Sequence, residues 1–302
     1  MKYLVTGGAG FIGSNIVETL LKKGHEVTVI DDFSYGFMNN LKSLSAKIIK
    51  DSITNLNTVQ KASEDIDVVL HLASMASVPL SIENPVLCHE INMRGTLNVL
   101  AAARDKGVKK VIFSSSSAVY GETKELPIKE STPKSPISPY GLTKLHGEHY
   151  CRMFYELYGL KYCTLRYFNV FGPKQNPNSD YAAVIPLFIK KILNNDQPKI
   201  YGDGEQTRDF LYVQNVVDAN ISAAMSNKIG VFNIAGGKRT SINNLVKKIN
   251  IITGKSIKPV HLPERTGDIK HSCADIYKAM QIDYEPLIGS EEGLRKTIDW
   301  YK

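Results

Sequence analysis

Short apolar runs alternate with longer amphipathic stretches through the first half of the chain. Tyr3 to Thr6, Glu26 to Ile30, Val68 to Leu72 and Val111 to Ser114 are brief, rich in β-branched residues and bounded by Gly, Asp or Ser. That pattern predicts buried strands. Another such run precedes Asp51. Gly13 to Lys23 and Ile91 to Lys106 carry apolar residues at helical spacing instead, the mark of helices with one buried face. Strands separated by helices of this length predict an α/β fold with a doubly wound parallel sheet. Thr123 to Pro139 holds four prolines among Ser, Thr, Lys and Glu, and reads as a surface loop.

After about residue 170 the pattern loosens. Gly172 to Pro177 is turn-rich, and Ala183 to Leu193, Ser241 to Thr253 and Glu291 to Tyr301 read as helices. Asp209 to Val213 and Gly230 to Ile234 read as late strands returning to the sheet. A smaller C-terminal α/β lobe is the expectation.

Composition narrows the class but not the chemistry. At 302 residues, 43% hydrophobic and 22% charged, the chain can bury a sizeable core without disulfides. Cys88, Cys151, Cys163 and Cys273 are scattered with no CxxC pair, which suggests four reduced thiols in a cytoplasmic protein and no metal. No secretory leader or membrane-spanning run is expected. The net charge of +7 comes from lysines spread along the chain, with only eight arginines. Without a basic run this points to solvated surface rather than nucleic acid.

The first strand runs directly into Thr6-Gly7-Gly8-Ala9-Gly10-Phe11-Ile12-Gly13. Gly7 permits a tight turn, Gly10 lets a pyrophosphate approach the backbone, and Gly13 lets helix and strand pack closely. The helix that follows offers N–H groups and a partial positive charge to phosphates. The next strand ends at Asp31-Asp32, where an acid suits the adenosine ribose hydroxyls and repels the extra phosphate of NADP. NAD is therefore the expected cofactor. Asp51 and Leu72-Ala73-Ser74 stand at the carboxyl ends of the third and fourth strands, where ligands of such sheets sit.

Tyr140 and Lys144 are four residues apart and share a helix face. A tyrosine titrates near ~10, too high for a base at neutral pH. A neighbouring cation stabilises the phenolate. Alone, the pair fits an ordinary exposed helix. Ser114 to Ser117, just after a strand, supplies the context: a hydroxyl there can meet the same substrate oxygen as Tyr140.

With TGGAGFIG at 6–13, four serines at 114–117, YGLTK at 140–144 and LRYFNVFG at 165–172, the chain resembles the extended short-chain dehydrogenases/reductases, in the NAD-dependent sugar epimerase/dehydratase family. The likeness runs through essentially the whole chain. It implies a Rossmann-type NAD-binding domain of residues 1–167 plus 208–237, and a UDP-sugar-binding lobe of 168–207 plus 238–302. Ser116, Tyr140 and Lys144 take the catalytic roles. Cofactor contacts fall on Gly7, Gly10, Phe11, Ile12, Gly13, Asp31, Asp32, Asp51, Ser52, Leu72, Ala73, Ser74, Asn92, Ser114, Tyr140, Lys144 and Tyr167. The family's homodimers join through two helices per subunit, here Ile91 to Lys106 and Tyr140 to Tyr158. Leu145, His149, Met153, Phe154 and Leu157 form a stripe that suits that interface or the core.

Within the family, 4,6-dehydratases carry an Asp-Glu pair after the catalytic hydroxyl residue, because eliminating the 6-hydroxyl needs a further acid and base. Here Ser117 and Ala118 follow Ser116. UDP-glucuronate decarboxylases place Glu where this chain has Ala118. A reaction with one base and one hydride acceptor remains, which suits a UDP-sugar 4-epimerase working through a 4-keto intermediate. The resemblance puts Asn169, Arg208 and Arg265 on the diphosphate, Ala183 and Val184 beside the uracil, and Asp268 on a ribose or its neighbours. Paired arginines suit a diphosphate because the planar fork binds oxygen pairs. Ser77, Ser116, Ser117 and Tyr201 complete the substrate set. Ser272 occupies the position that gates the sugar pocket, and a small residue there leaves room for a 2-acetamido group. UDP-GlcNAc and UDP-GalNAc, with UDP-glucose and UDP-galactose, are the expected substrates. A 4,6-dehydratase or decarboxylase, a non-catalytic NAD sensor and an oxidoreductase that releases NADH are the competing readings.

Overall fold

The computed structural model describes residues 1–177, 183–264 and 269–302. Its strands are β1 (Lys2–Thr6), β2 (Glu26–Asp31), β3 (Lys47–Lys50), β4 (Val68–His71), β5 (Lys110–Ser116), β6 (Lys161–Tyr167), β7 (Asn169–Phe171), β8 (Lys199–Tyr201), β9 (Thr207–Arg208), β10 (Phe210–Tyr212), β11 (Gly230–Ile234), β12 (Thr240–Ser241) and β13 (Val260–Leu262). Seven of them form one parallel sheet in the order β11-β6-β5-β4-β1-β2-β3. Strand order reverses beside β1, which lies between β2 and β4. That reversal opens a crevice at the carboxyl ends of the strands.

Both faces of the sheet are covered, as the Rossmann-like expectation requires. On one face Ile16, Val17 and Leu20 of the Phe11–Lys22 helix pack with Val216 and Val217 of the Val213–Met225 helix. On the other, Val99 and Leu100 pack with Cys151 and Phe154 of the Pro139–Tyr158 helix. Strands buried on both sides read as continuous apolar runs, which explains why β1 and β4 were plain in the sequence. A further core joins Phe171, Phe188, Ile189, Leu245, Leu294 and Ile298 from the later chain.

Three expectations change. Of Asp209 to Val213, only β10 is a strand, and it pairs with β7 outside the main sheet, whereas β11 does rejoin the sheet beside β6. Phe210 and Tyr212 point into the later core, which holds β10 away from β6. The Ile91 to Lys106 helix is part of a longer run, Pro85–His89, a π-helical turn at Glu90–Arg94, then Gly95–Asp105. The 123–139 segment is not wholly surface: Ile128 and Thr132 are buried, and Ile128 bridges Ala274 and packs with Val119 and Phe168. No helix of the described residues is long and apolar enough to cross a membrane, and all four cysteines are free.

At the end of β4 the buried His71 ring lies between two hydroxyls, with Nδ1 2.7 Å from Thr6 and Nε2 2.9 Å from Thr96. Burial, helped by the charge of Lys144, holds its pKa down to about 3. The unfolded chain therefore takes up a proton near pH 6.5 that the folded chain refuses. Stability from this site is complete above pH 6.5 and is lost as pH falls towards 3. His71→Gln is expected to flatten the fall of melting temperature between pH 7 and about 5. Parallel acid profiles for the two proteins would count against a buried neutral imidazole.

Candidate active site

At two positions the glycine loop leaves no room for a side chain. Gly7 has φ +71°, and a Cβ there would lie 2.7 Å from the Ala73 amide nitrogen. A Cβ on Gly13 would lie 2.2 Å from the Gly7 carbonyl oxygen. The helix that starts at Phe11 has Gly10 as its N-cap and no side-chain cap. Its first-turn N–H groups are thus left for a ligand, and an anion fits best. Asp31, at the end of β2, accepts hydrogen bonds from the Ala9 amide at 2.9 Å and the Phe33 amide at 2.8 Å, so it also braces the loop. Burial pushes its carboxyl pKa up, against the pull of those two amides. Asp32 is exposed and accepts from the Ser34 amide. Asp51 accepts from Thr58, Ser52 and Asn55, and its pKa is lowered, mainly by the Thr58 hydroxyl.

A cavity of about 320 Å³ opens above this loop. Every residue assigned to the cofactor lines it except Asn92. The amide of Asn92 instead clasps the Met75 backbone, accepting from its N–H at 2.7 Å and donating to its C=O at 3.3 Å, and donates to Thr143 Oγ1 at 3.0 Å. It works behind the cleft wall, inside the π-helical turn, a feature often found at functional sites. The cradle, the uncapped helix and the acids fit NAD. Tyr35 and Gly36 line the cavity without having been singled out. Gly36 carried a signal: it follows the acidic strand end, and a Cβ there would meet Ala9 at 2.8 Å.

The Pro139–Tyr158 helix starts cleanly because Ser138 caps it, accepting from the Gly141 amide, and Pro139 pre-sets the first turn. This aims Tyr140 and Lys144 into the same cavity. The Lys144 ammonium donates to the Ser114 carbonyl at 2.8 Å and lies 5.8 Å from the Tyr140 ring centre. Burial brings the Lys144 pKa down to about 8. Burial pushes the Tyr140 hydroxyl up, and a hydrogen bond with the Ser116 side chain pulls it back. The expected lowering of Tyr140 by Lys144 is therefore not what dominates in the protein alone, since the ammonium is engaged by a carbonyl and the ring is deep. The serines of β5 divide by pleat, Ser115 turning to Glu148 and its two neighbours to the other face. Ser114 shares a 3.0 Å hydrogen bond with the Tyr167 hydroxyl, which Asn220 also holds, and Ser116 pairs with Tyr140.

A second cavity, of about 430 Å³, is lined by Asn169, Ala183, Val184, Tyr201 and Arg208 from the substrate set, with Lys199 and Gln206 in addition. Arg208 Nη1 donates to the Thr207 carbonyl at 3.0 Å, which fixes the direction of its fork. Ser272 is buried one strand away, its N–H donating to that same carbonyl at 3.1 Å. Ser77 lies apart from both walls as the cap of the Val78–Glu83 helix, and Ser117 opens the short turn after Ser116. Arg265 and Asp268 lie outside the described residues.

Comparison with known proteins agrees with this geometry. The family model for the NAD-dependent epimerase/dehydratase family matches residues 3–235. A putative UDP-glucose 4-epimerase of Methanocaldococcus jannaschii is 40% identical over 99% of this chain and 98% of its own length. The UDP-N-acetylglucosamine 4-epimerase of Methanobrevibacter ruminantium, solved with UDP-N-acetylmuramic acid, has a TM-score of 0.96 and 47% identity, covering 99% of this chain and 97% of that one. The UDP-glucose 4-epimerase of Thermus thermophilus, solved with NAD, has a TM-score of 0.93 and 36% identity, covering 100% and 99%.

Proposed function

We propose that this chain, which belongs to the NAD-dependent epimerase/dehydratase family, is a UDP-sugar 4-epimerase that accepts N-acetylated hexoses. The observation that carries the reading is that the Tyr140 hydroxyl pairs with Ser116 and that the residues after Ser116 are Ser117 and Ala118, neither of which carries the carboxyl that elimination or decarboxylation would need there. Such a site can move one proton to and from one oxygen.

In this mechanism Tyr140, as phenolate, takes the proton of the sugar 4-hydroxyl. Ser116 donates to the same oxygen and lowers the cost of charge there. Lys144 holds the phenolate with its positive charge. NAD, which the glycine loop, Asp31 and Lys144 would hold, would supply a reversible hydride acceptor at C4, so that no net oxidation would occur. The sugar becomes a ketone at C4, turns about its bond to the diphosphate, and is reduced on the other face. Arg208, Asn169 and Arg265 keep the diphosphate fixed during that turn. The division into a cofactor lobe and a substrate lobe, and a cytoplasmic homodimer, belong to the same proposal. Val86, Leu87, Leu97, Leu142, Met153 and Leu157 are exposed on the two helices of the expected interface, while Phe154 of the stripe is buried in the core.

The test is NMR of the product mixture from UDP-GlcNAc, UDP-GalNAc, UDP-glucose and UDP-galactose, with no added cofactor. Interconversion within each pair supports the reading. Consumption that yields NADH, or no product at all, rejects it. Ser272→Tyr is expected to reduce turnover of the N-acetylated pair by at least roughly tenfold while sparing the plain hexoses. Equal loss for both pairs would deny Ser272 the gate.

A further inference from the structure

The reaction above uses Tyr140 and Lys144 of the Pro139–Tyr158 helix. Glu148 is the next residue on that face, and it has no part in the chemistry. Its carboxylate is 5% exposed. Oε1 accepts from the Ser115 hydroxyl at 2.6 Å and from Arg166 Nε at 2.8 Å, and Oε2 accepts from Arg166 Nη2 at 2.6 Å. Arg166 is 2% exposed and faces Ser115 across the β5–β6 register. Its Nη1 donates to the Tyr120 hydroxyl at 2.7 Å and the Glu130 carbonyl at 3.2 Å. Tyr120 donates in turn to Asn233 Oδ1 at 2.6 Å.

A buried ion pair is weak evidence of stability, because apolar side chains of the same volume often serve as well. The placement of this one suggests what it is for. Ser115 precedes Ser116, and Tyr120 closes the short turn that Ser116 caps. The pair therefore grips the serine segment on both sides of Ser116. It is also fixed to the helix that carries Tyr140.

We propose that Ser115, Glu148 and Arg166 form a buried brace that sets the separation of Ser116 and Tyr140, making Glu148 a positioning residue for proton transfer. The inference rests on the epimerase reading for its kinetic arm only. A misplacement of about 1 Å can cost on the order of a hundredfold in rate, so a partial loosening is legible in kcat.

The test uses Ser115→Ala, which removes one hydroxyl and leaves the ion pair whole. It is expected to lower kcat on the order of tenfold with KM for the UDP-sugar nearly unchanged. In a Ser116→Ala background the same change is expected to cost almost nothing, because the brace acts through Ser116. An unchanged kcat, or losses that multiply in the double variant, would overturn the brace. A second arm needs no activity. With isotope-labelled tyrosine, and the Tyr140 signal identified by Tyr140→Phe, Ser115→Ala is expected to move that resonance in the direction that Ser116→Ala moves it. A Tyr140 signal that stays in place overturns the proposal. Failure of the wild-type protein to turn over any UDP-sugar would reject the epimerase reading and leave this arm decisive for the brace.

Discussion

Tyr140→Phe is expected to lower epimerisation by about 10²- to 10⁴-fold, the usual worth of a positioned general base. That corresponds to about 3–5 kcal/mol of barrier. Phe keeps the ring, and the ring is what packs in the cleft wall. Asn169 and Arg208, the residues proposed for the diphosphate, line a different cavity. Affinity for UDP is therefore expected to change little, and the loss to fall on kcat. The pH dependence separates this from a packing defect. Burial raises the pKa of Tyr140, so the active phenolate gains population as pH rises, and kcat should climb with it. Burial brings Lys144 down to about 8, so its charge fades above that pH and the climb should end there. The Phe variant is expected to lose the acid limb. An unchanged rate in the variant would refute the role of Tyr140.

Glu148→Ala is expected to destabilise the fold by about 3–5 kcal/mol, because it strands the buried Arg166 guanidinium without its partner. For a chain of this size that is a fall of about 5–8 °C in melting temperature. The double variant Glu148→Leu with Arg166→Met removes both charges and is expected to recover most of the loss. Thermal melts of the two variants decide the matter. A single variant that melts with the wild type would mean that Arg166 finds water or another acceptor, and that the pair is not the closed unit its distances describe.

Much of the cofactor half could be read from the sequence, for a physical reason. A Cβ on Gly7 or Gly13 would strike the protein's own backbone at Ala73 or Gly7, so both glycines are written into the chain at fixed spacing. The central strands are buried on both faces and show as apolar runs. β6 escaped notice because Lys161 and Arg166 break its pattern, and only the fold shows that Glu148 neutralises Arg166. The partial burial of the 123–139 segment was hidden because its apolar residues, Leu126, Ile128 and Ile137, stand apart among prolines and charges, and the partner of Ile128, Ala274, is far along the chain. Asn92 entered through the resemblance alone, and a sequence cannot say that its amide would turn to Met75. The substrate half was legible chiefly through resemblance, since it has no pattern comparable to the glycine loop.

The return of Gly230–Ile234 to pair with β6 has a consequence for synthesis. All of the glycine loop and both Tyr140 and Lys144 leave the ribosome before the strand that closes the sheet. Until then the outer edge of β6 carries unpaired amides and carbonyls, a template for pairing with other nascent chains. Closing it late, by a parallel contact between residues far apart in sequence, is slow. The interval between residues 167 and 230 is thus when a growing chain most needs a chaperone, although every residue that lines the cavity above the glycine loop has already been made.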